Sequence, residues 1–185
     1  MMSDKKRKKL IADIVERELA MFLQVRTAIP SLCQERPETF RTMREMSHTV
    51  LASDTLASYL KDLKSAEKKG RNLLTEKYAR MDNVIPPLSD NPLIGEIVAI
   101  EADWMEVLKR RFPNTFRGDR TPFEIYLCSE LETYSDDTLA FYHRDVTAAR
   151  KKGENLAEVR YRRLFESLGY EDIAQVEHRT AHDDS

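Results

Sequence analysis

Three glutamates set into apolar helical stripes are the residues of this chain best placed to do chemistry. Glu18 lies between Ile11, Ile14 and Val15 on one side and Phe22 and Val25 on the other, all at helical spacing. A helix that buries those side chains also turns Glu18 inward. Glu101 holds the same position between Ile97-Val98 and Met105-Leu108, and Glu130 lies between Phe123, Leu127 and Tyr134. A carboxylate taken out of water needs a proton, a cation or strong hydrogen bonds. One way to supply them is a structural network with Arg44, Arg80, Arg163, Tyr59, Tyr126, Tyr134 or Tyr142. The other is a polar pocket in the helical core, with Glu18, Glu101 and Glu130 as acceptors, Arg44 as cation, and His48 with Tyr126 as further hydrogen-bonding groups. Apolar surroundings would raise a glutamate pKa towards the range useful for acid/base work.

A metal is the third possibility. Glu45-Met46-Ser47-His48 has the Glu-x-x-His spacing that puts both side chains on one helical face, as in di-metal carboxylate bundles. With Glu18 and Glu101 this makes half of such a template for an oxidase-like enzyme. The matching positions later in the chain are Cys128 and Leu131, and the residue three past Glu130 is Thr133, so no metal ligands are assigned. Trp104, Tyr126 and Tyr134 line either a pocket or ordinary core. Cys33 falls in a loop with no activating histidine nearby in sequence, and His178 and His182 belong to a polar C-terminal segment. Five isolated glycines build neither a Walker loop nor a dinucleotide fingerprint, and zincin and nucleophile-elbow motifs are absent. No cofactor can be named.

The elements that must position these residues are written twice. Sliding residues 10–81 onto 93–164 at a constant offset of 83 gives about 21 identities in 72 positions, against roughly four or five from composition. Among them are Leu10-Ile11 with Leu93-Ile94, Glu18 with Glu101, Asp54-Thr55-Leu56-Ala57 with Asp137-Thr138-Leu139-Ala140, Tyr59 with Tyr142, and Lys68-Lys69-Gly70 with Lys151-Lys152-Gly153. The offset pairs Ser47 with Glu130 and His48 with Leu131, so the halves differ at the candidate site. Each copy reads as four helices. The first carries the glutamate, a proline loop (Pro30, Pro113) follows, and the second begins near Pro37 or Pro122. The third has Ser53 or Asp136 as N-cap and ends at Lys-Lys-Gly, and Asn72 or Asn155 caps the fourth.

No segment alternates like a strand. The expected fold is therefore all-α: a pseudo-two-fold tandem duplication of a roughly four-helix unit packed as one domain over 1–170. Repeat one is 10–81, the linker 82–92 and repeat two 93–164, with 171–185 a polar, partly disordered tail. Two first helices meeting at an axis would bring Glu18 and Glu101 into one pocket. Thirty basic and thirty-two acidic residues in 185 nearly cancel, so no overall field selects nucleic acid or a membrane surface, and the basic run Lys5 to Lys9 reads as a solvated helix start. No apolar stretch approaches the ~18 residues a bilayer span needs, and two cysteines that do not correspond in the repeat suit a reducing cytoplasm.

Cys33-Gln34, Phe40, Arg44 and the long run Gly70-Arg71-Asn72-Leu73-Leu74-Thr75-Glu76-Lys77-Tyr78-Ala79-Arg80-Met81 resemble the bacterial domain-of-unknown-function family 4125. The resemblance continues through Glu101, Trp104, Phe123-Glu124, Tyr126-Leu127, Glu130-Leu131, Thr133-Tyr134-Ser135 and Gly153-x-Asn155-Leu156. It implies a bacterial protein but brings no reaction, cofactor or catalytic residue. The chain departs from the family pattern at His48, where glutamine is usual, and near Glu45, where a basic residue is common, which argues against a shared metal site. The sequence thus points to a helical protein that binds a small polar ligand or a protein partner between its repeats. A metal-dependent oxidase and a structural interaction module are the alternatives.

Overall fold

The computed structural model describes residues 4–25 and 36–183, which are helical throughout apart from turns and connecting segments. The helices are α1 (Asp4–Phe22), α2 (Pro37–His48), α3 (Ser53–Lys68), α4 (Leu73–Met81), α5 (Leu93–Arg111), α6 (Arg120–Leu131), α7 (Asp136–Lys151), α8 (Leu156–Ser167) and α9 (Ile173–Asp183). No strand occurs among the described residues. Pro30 and Cys33 lie outside the described residues.

Local chemistry sets the ends of these elements. Asn72 accepts from the Thr75 amide at the start of α4, and Asn155 accepts from the Glu158 amide at the start of α8. The Lys-Lys-Gly ends of α3 and α7 close in the same way. Arg71 N donates to Ala66 O and Glu154 N to Ala149 O, with Gly70 and Gly153 at φ +67° and +73°, a region in which a side chain is strained. The caps of α3 and α7 lie one residue earlier than Ser53 and Asp136. Ser135 accepts from the Thr138 amide to cap α7, whereas Ala52, which has no capping atom, donates its own amide to Asp145 of α7 at 2.8 Å. Pro122 is the third residue of α6 rather than its first.

Packing follows the apolar stripes. α1 lies against α2, α3 and α4; α5 lies against α6, α7 and α8; and the two groups meet through α3–α7, α4–α6 and α2–α8. Ile14, Leu56 and Leu63 are fully buried, as are Ile97, Leu139 and Val146, the residues 83 further on. Where α3 meets α7, Asp145 accepts from Ala52 N and from Thr55 Oγ1 at 2.6 Å, while Asp62 accepts from Ser135 N and from Thr138 Oγ1 at 2.6 Å. Each pair is the other displaced by 83 residues with donor and acceptor sides exchanged.

Residues 171–185 were expected to form a partly disordered tail, but α9 occupies most of that segment. Its apolar stripe is short, and Ile173 is buried. Glu177 anchors the helix by accepting from the amides of Asn114 and Thr115, at 3.0 and 2.8 Å, and from both of their side chains. The basic N-terminal run also has a structural member. Arg7 donates to Ser53 Oγ and to the Thr49 and Leu51 carbonyls, fastening α1 to the α2–α3 turn. Among the described residues no helix is long and apolar enough to cross a membrane.

Candidate functional site

Arg44 of α2 is the centre of a buried charge network. Its Nε and Nη2 donate to Glu18 of α1 at 3.0 and 2.6 Å, and its Nη1 and Nη2 donate to Glu130 of α6 at 3.0 and 2.9 Å. A planar guanidinium with a fork of donors on each edge suits two carboxylates at once, which an ammonium could not serve in that geometry. Glu130 takes a second cation, Lys77 Nζ of α4 at 2.5 Å, and the Tyr134 hydroxyl at 3.0 Å. Glu18 takes the Tyr59 hydroxyl at 2.8 Å and faces His48 Nε2 at 3.1 to 3.2 Å. Each of the four oxygens of Glu18 and Glu130 is thus met by at least two nitrogen or hydroxyl groups, while His48 Nδ1 is buried without a partner among the described residues.

This corrects the expectation that apolar surroundings raise the glutamates into an acid/base range. Burial does push the Glu18 carboxyl up, but Arg44 and His48 together outweigh it and bring the group down to about 2. Glu130 is likewise raised by burial and carried well below the ordinary carboxylate range by Arg44 and Lys77. Burial and the neighbouring Glu18 push the Tyr59 phenol up, and burial with Glu130 does the same at Tyr134. The two carboxylates therefore stay charged and the two phenols neutral near neutral pH.

Glu101 of α5 sits in a second, thinner network. It accepts from the Tyr142 hydroxyl at 3.1 Å, just as Glu18 accepts from Tyr59, and from Arg160 of α8. The residues 83 beyond Arg44 and His48 are Leu127 and Leu131, so the partners that complete Glu18 have no equivalents here. Glu101 Oε2 is consequently buried without a hydrogen-bond partner among the described residues, and so is Arg160 Nε. Glu18 and Glu101 share no partner, and the single pocket expected for them at an axis is replaced by these two networks. A row of rings joins them: Tyr59 to Tyr134 at 4.4 Å between centroids and Tyr134 to Tyr142 at 6.5 Å.

Of the candidate residues, Glu18, Arg44, His48 and Glu130 therefore converge, Glu101 stands apart, and Tyr126 touches the rim with its ring 3.4 Å from Lys77 Nζ. Lys77 and Arg160 were missed by sequence reasoning. Their signal was available: they are 83 apart, both basic, and each lies four residues after the leucine that opens its helix's apolar face. Arg80 and Arg163, considered as partners, lie elsewhere, on Glu132 and the Thr49 carbonyl respectively. Glu45 is exposed while His48 is buried, so the Glu-x-x-His pair does not face one ion.

A cleft of about 230 Å³ opens between α2 and the group α5 to α8. Met43, Ser47, Met105, Phe123, Leu127 and Tyr161 give it a mostly apolar wall, and Arg44, Tyr126, Glu130, Tyr142 and Arg160 supply its polar groups. The two cations differ in what they have left to offer. Four of the five N–H groups of Arg44 are spent on carboxylates, whereas Arg160 spends one on Glu101.

A sequence model of the family described as protein of unknown function (DUF4125) matches residues 8–178. No curated protein and no solved structure matches the chain. The match takes in both charge networks and every residue lining the cleft, so the features described above lie inside the shared region, and the chain belongs to the DUF4125 family of proteins of unknown function.

Proposed function

We propose that this is a cytoplasmic binding protein built from a duplicated four-helix unit, and that it holds a small polar ligand in the cleft bounded by α2, α6 and α8. One observation carries the reading: Arg160, with a single hydrogen-bond partner, lines a cleft whose remaining wall is mainly apolar and aromatic. A concave apolar surface with a few convergent polar groups is the usual form of a small-molecule site. At ~30 Å³ per water the cleft has room for about eight waters, the scale of a small metabolite. Duplication is supported by the 83-residue identities, by the matched capping of α4 and α8, and by the exchanged Thr–Asp pairs between α3 and α7.

The Glu18–Arg44–Glu130–Lys77 network has a different role in this reading. Its charges are matched against one another, and it ties α1, α2, α4 and α6 together as a scaffold behind the cleft. The test uses methionine methyl groups as reporters, because Met43, Met46 and Met105 all line the cleft. Protein labelled with ¹³C at its methionine methyls is titrated with a diverse fragment library. Fragments that bind should move those three resonances together and leave the other methionines in place; a library that moves none of the three refutes the reading.

A further inference from the structure

We propose that the cleft takes a monocarboxylate, its carboxylate docked on Arg160 and its apolar body laid against Met43, Phe123, Leu127 and Tyr161. This rests on the cleft being the ligand site and adds the chemical class of the ligand.

Lys77 of α4 ends on Glu130, a carboxylate delivered from α6 across the boundary between the two groups of helices. Arg160 of α8 stands at the corresponding position, and α2 lies beside α8 as α6 lies beside α4. The residue α2 offers there is Ser47, whose hydroxyl donates to the Met43 carbonyl. The carboxylate that answers Lys77 has no counterpart facing Arg160. Leu127, at the position corresponding to Arg44, fills the place of a second guanidinium with a shorter apolar side chain. At one boundary the cation thus meets a carboxylate from the opposite group of helices; at the other the cation is bonded only to Glu101 of its own group and faces a cleft.

Arg160 is equipped to hold what is missing. Arg44 shows that in this core one guanidinium can serve two carboxylates, Glu18 on one edge and Glu130 on the other. Arg160 already has Glu101 on one side. Arg160 lines the cleft whereas Glu101, fully buried, does not, so an incoming group meets the guanidinium rather than the carboxylate already bonded to it. A single negative charge fits better than two, because Glu130 also lines the cleft and repels a dianion.

The full chain with labelled methionines is titrated with benzoate, phenylacetate and hexanoate, with the corresponding amides, and with phenyl phosphate. The acids should move the Met43, Met46 and Met105 methyls and bind about tenfold or more tightly than the amides, as expected for a charge-assisted bond to arginine. The preference should disappear in Arg160→Gln. A second pair of variants does not depend on that protein folding: Ser47→Glu, which supplies the carboxylate from the chain itself, should melt higher than Ser47→Gln and no longer bind the acids. Amides binding as tightly as acids, or phenyl phosphate binding more tightly, would overturn the ligand class while leaving the cleft as a site. No movement of the three methyls with any compound would overturn the site and the class together. Ser47→Glu and Ser47→Gln melting alike would show that Arg160 lacks no carboxylate.

Discussion

Replacing Arg44 by leucine should be among the most damaging single changes in the molecule, and its damage should be partly repaired by a second mutation that removes another charge. Arg44 makes four hydrogen bonds to two carboxylates, and the side chains concerned are 7%, 0% and 11% exposed for Arg44, Glu18 and Glu130. Removing one member of such a buried pair costs about 3–5 kcal/mol, chiefly because a desolvated charge is left behind. Against the roughly 5–15 kcal/mol that holds a domain together, this is a large fraction. Arg44→Leu leaves Glu130 with Lys77 and Tyr134 but Glu18 with only His48 and Tyr59. Adding Glu18→Gln removes the stranded charge, and glutamine can still bond to Tyr59. The double variant should therefore be no less stable than Arg44→Leu, and its loss should fall short of the summed single losses by about 2 kcal/mol or more. Urea unfolding of the four proteins of this cycle, with equal m-values as the check on two-state behaviour, measures both quantities. A single loss for Arg44→Leu below about 1 kcal/mol, or strictly additive losses, would show that the network does not bear on stability as its geometry requires.

The same network sets a pH dependence. The Glu18 carboxyl titrates at about 2 in the folded chain against 4.5 ordinarily, so above about pH 4.5 its contribution is fully present, and it is lost as the pH falls towards 2. At ~1.4 kcal/mol per pKa unit this is about 3 kcal/mol, and Glu18→Gln should flatten the acid limb of the stability curve between about pH 5 and pH 2; parallel limbs for the two proteins would contradict the assignment. Between α3 and α7, Asp62→Asn and Asp145→Asn each weaken the bonds from one buried threonine hydroxyl and one backbone amide. Each should cost about 1–3 kcal/mol by chemical denaturation, and losses differing by more than about 2 kcal/mol would show that the matched geometry is not matched in energy.

How much of this was legible in the sequence depended on whether the signal was local. The starts of α2, α4 and α8 and both ends of α3 and α7 could be read to within about a residue, because Pro37, Asn72, Asn155 and the two Lys-Lys-Gly ends are capping chemistry within a single turn. The inward turn of Glu18, Glu101 and Glu130 was also local, being a matter of helical phase. What the phase of one helix cannot give is which other helix faces it. As partners for a structural network Arg44, Arg80 and Arg163 stood together in the sequence, with Arg44 alone named for the pocket, and packing is what puts Arg44 at the meeting of α1, α2 and α6 and sends Arg80 to Glu132. Helix α9 was lost for a related reason. Its fixing bonds run from Glu177 to amides of residues 114 and 115, more than sixty positions away, and its own apolar stripe is too short to announce it.

The unequal treatment of the two ends follows from how the halves are joined. Lys77 and Arg44 both reach Glu130, so the α4–α6 boundary is closed by two cations on one carboxylate. The α2–α8 boundary has Ser47 in place of that carboxylate and Leu127 in place of that arginine, and its arginine bonds to Glu101 of its own group of helices. If both boundaries carried the ionic closure, the core would be more evenly satisfied and the space beside Arg160 would be filled by side chain. Chemically the change is small: a serine where the other boundary has glutamate and a leucine where it has arginine leave Arg160 with donors to spare. The α4–α6 boundary and the α3–α7 contact join the two groups of helices without an ionic closure between α2 and α8. The residues that close one boundary and those that leave a cleft at the other are therefore different answers, at positions 83 apart, to the same requirement that a buried cation be paired: Lys77 takes its carboxylate from across the boundary and Arg160 from its own group of helices.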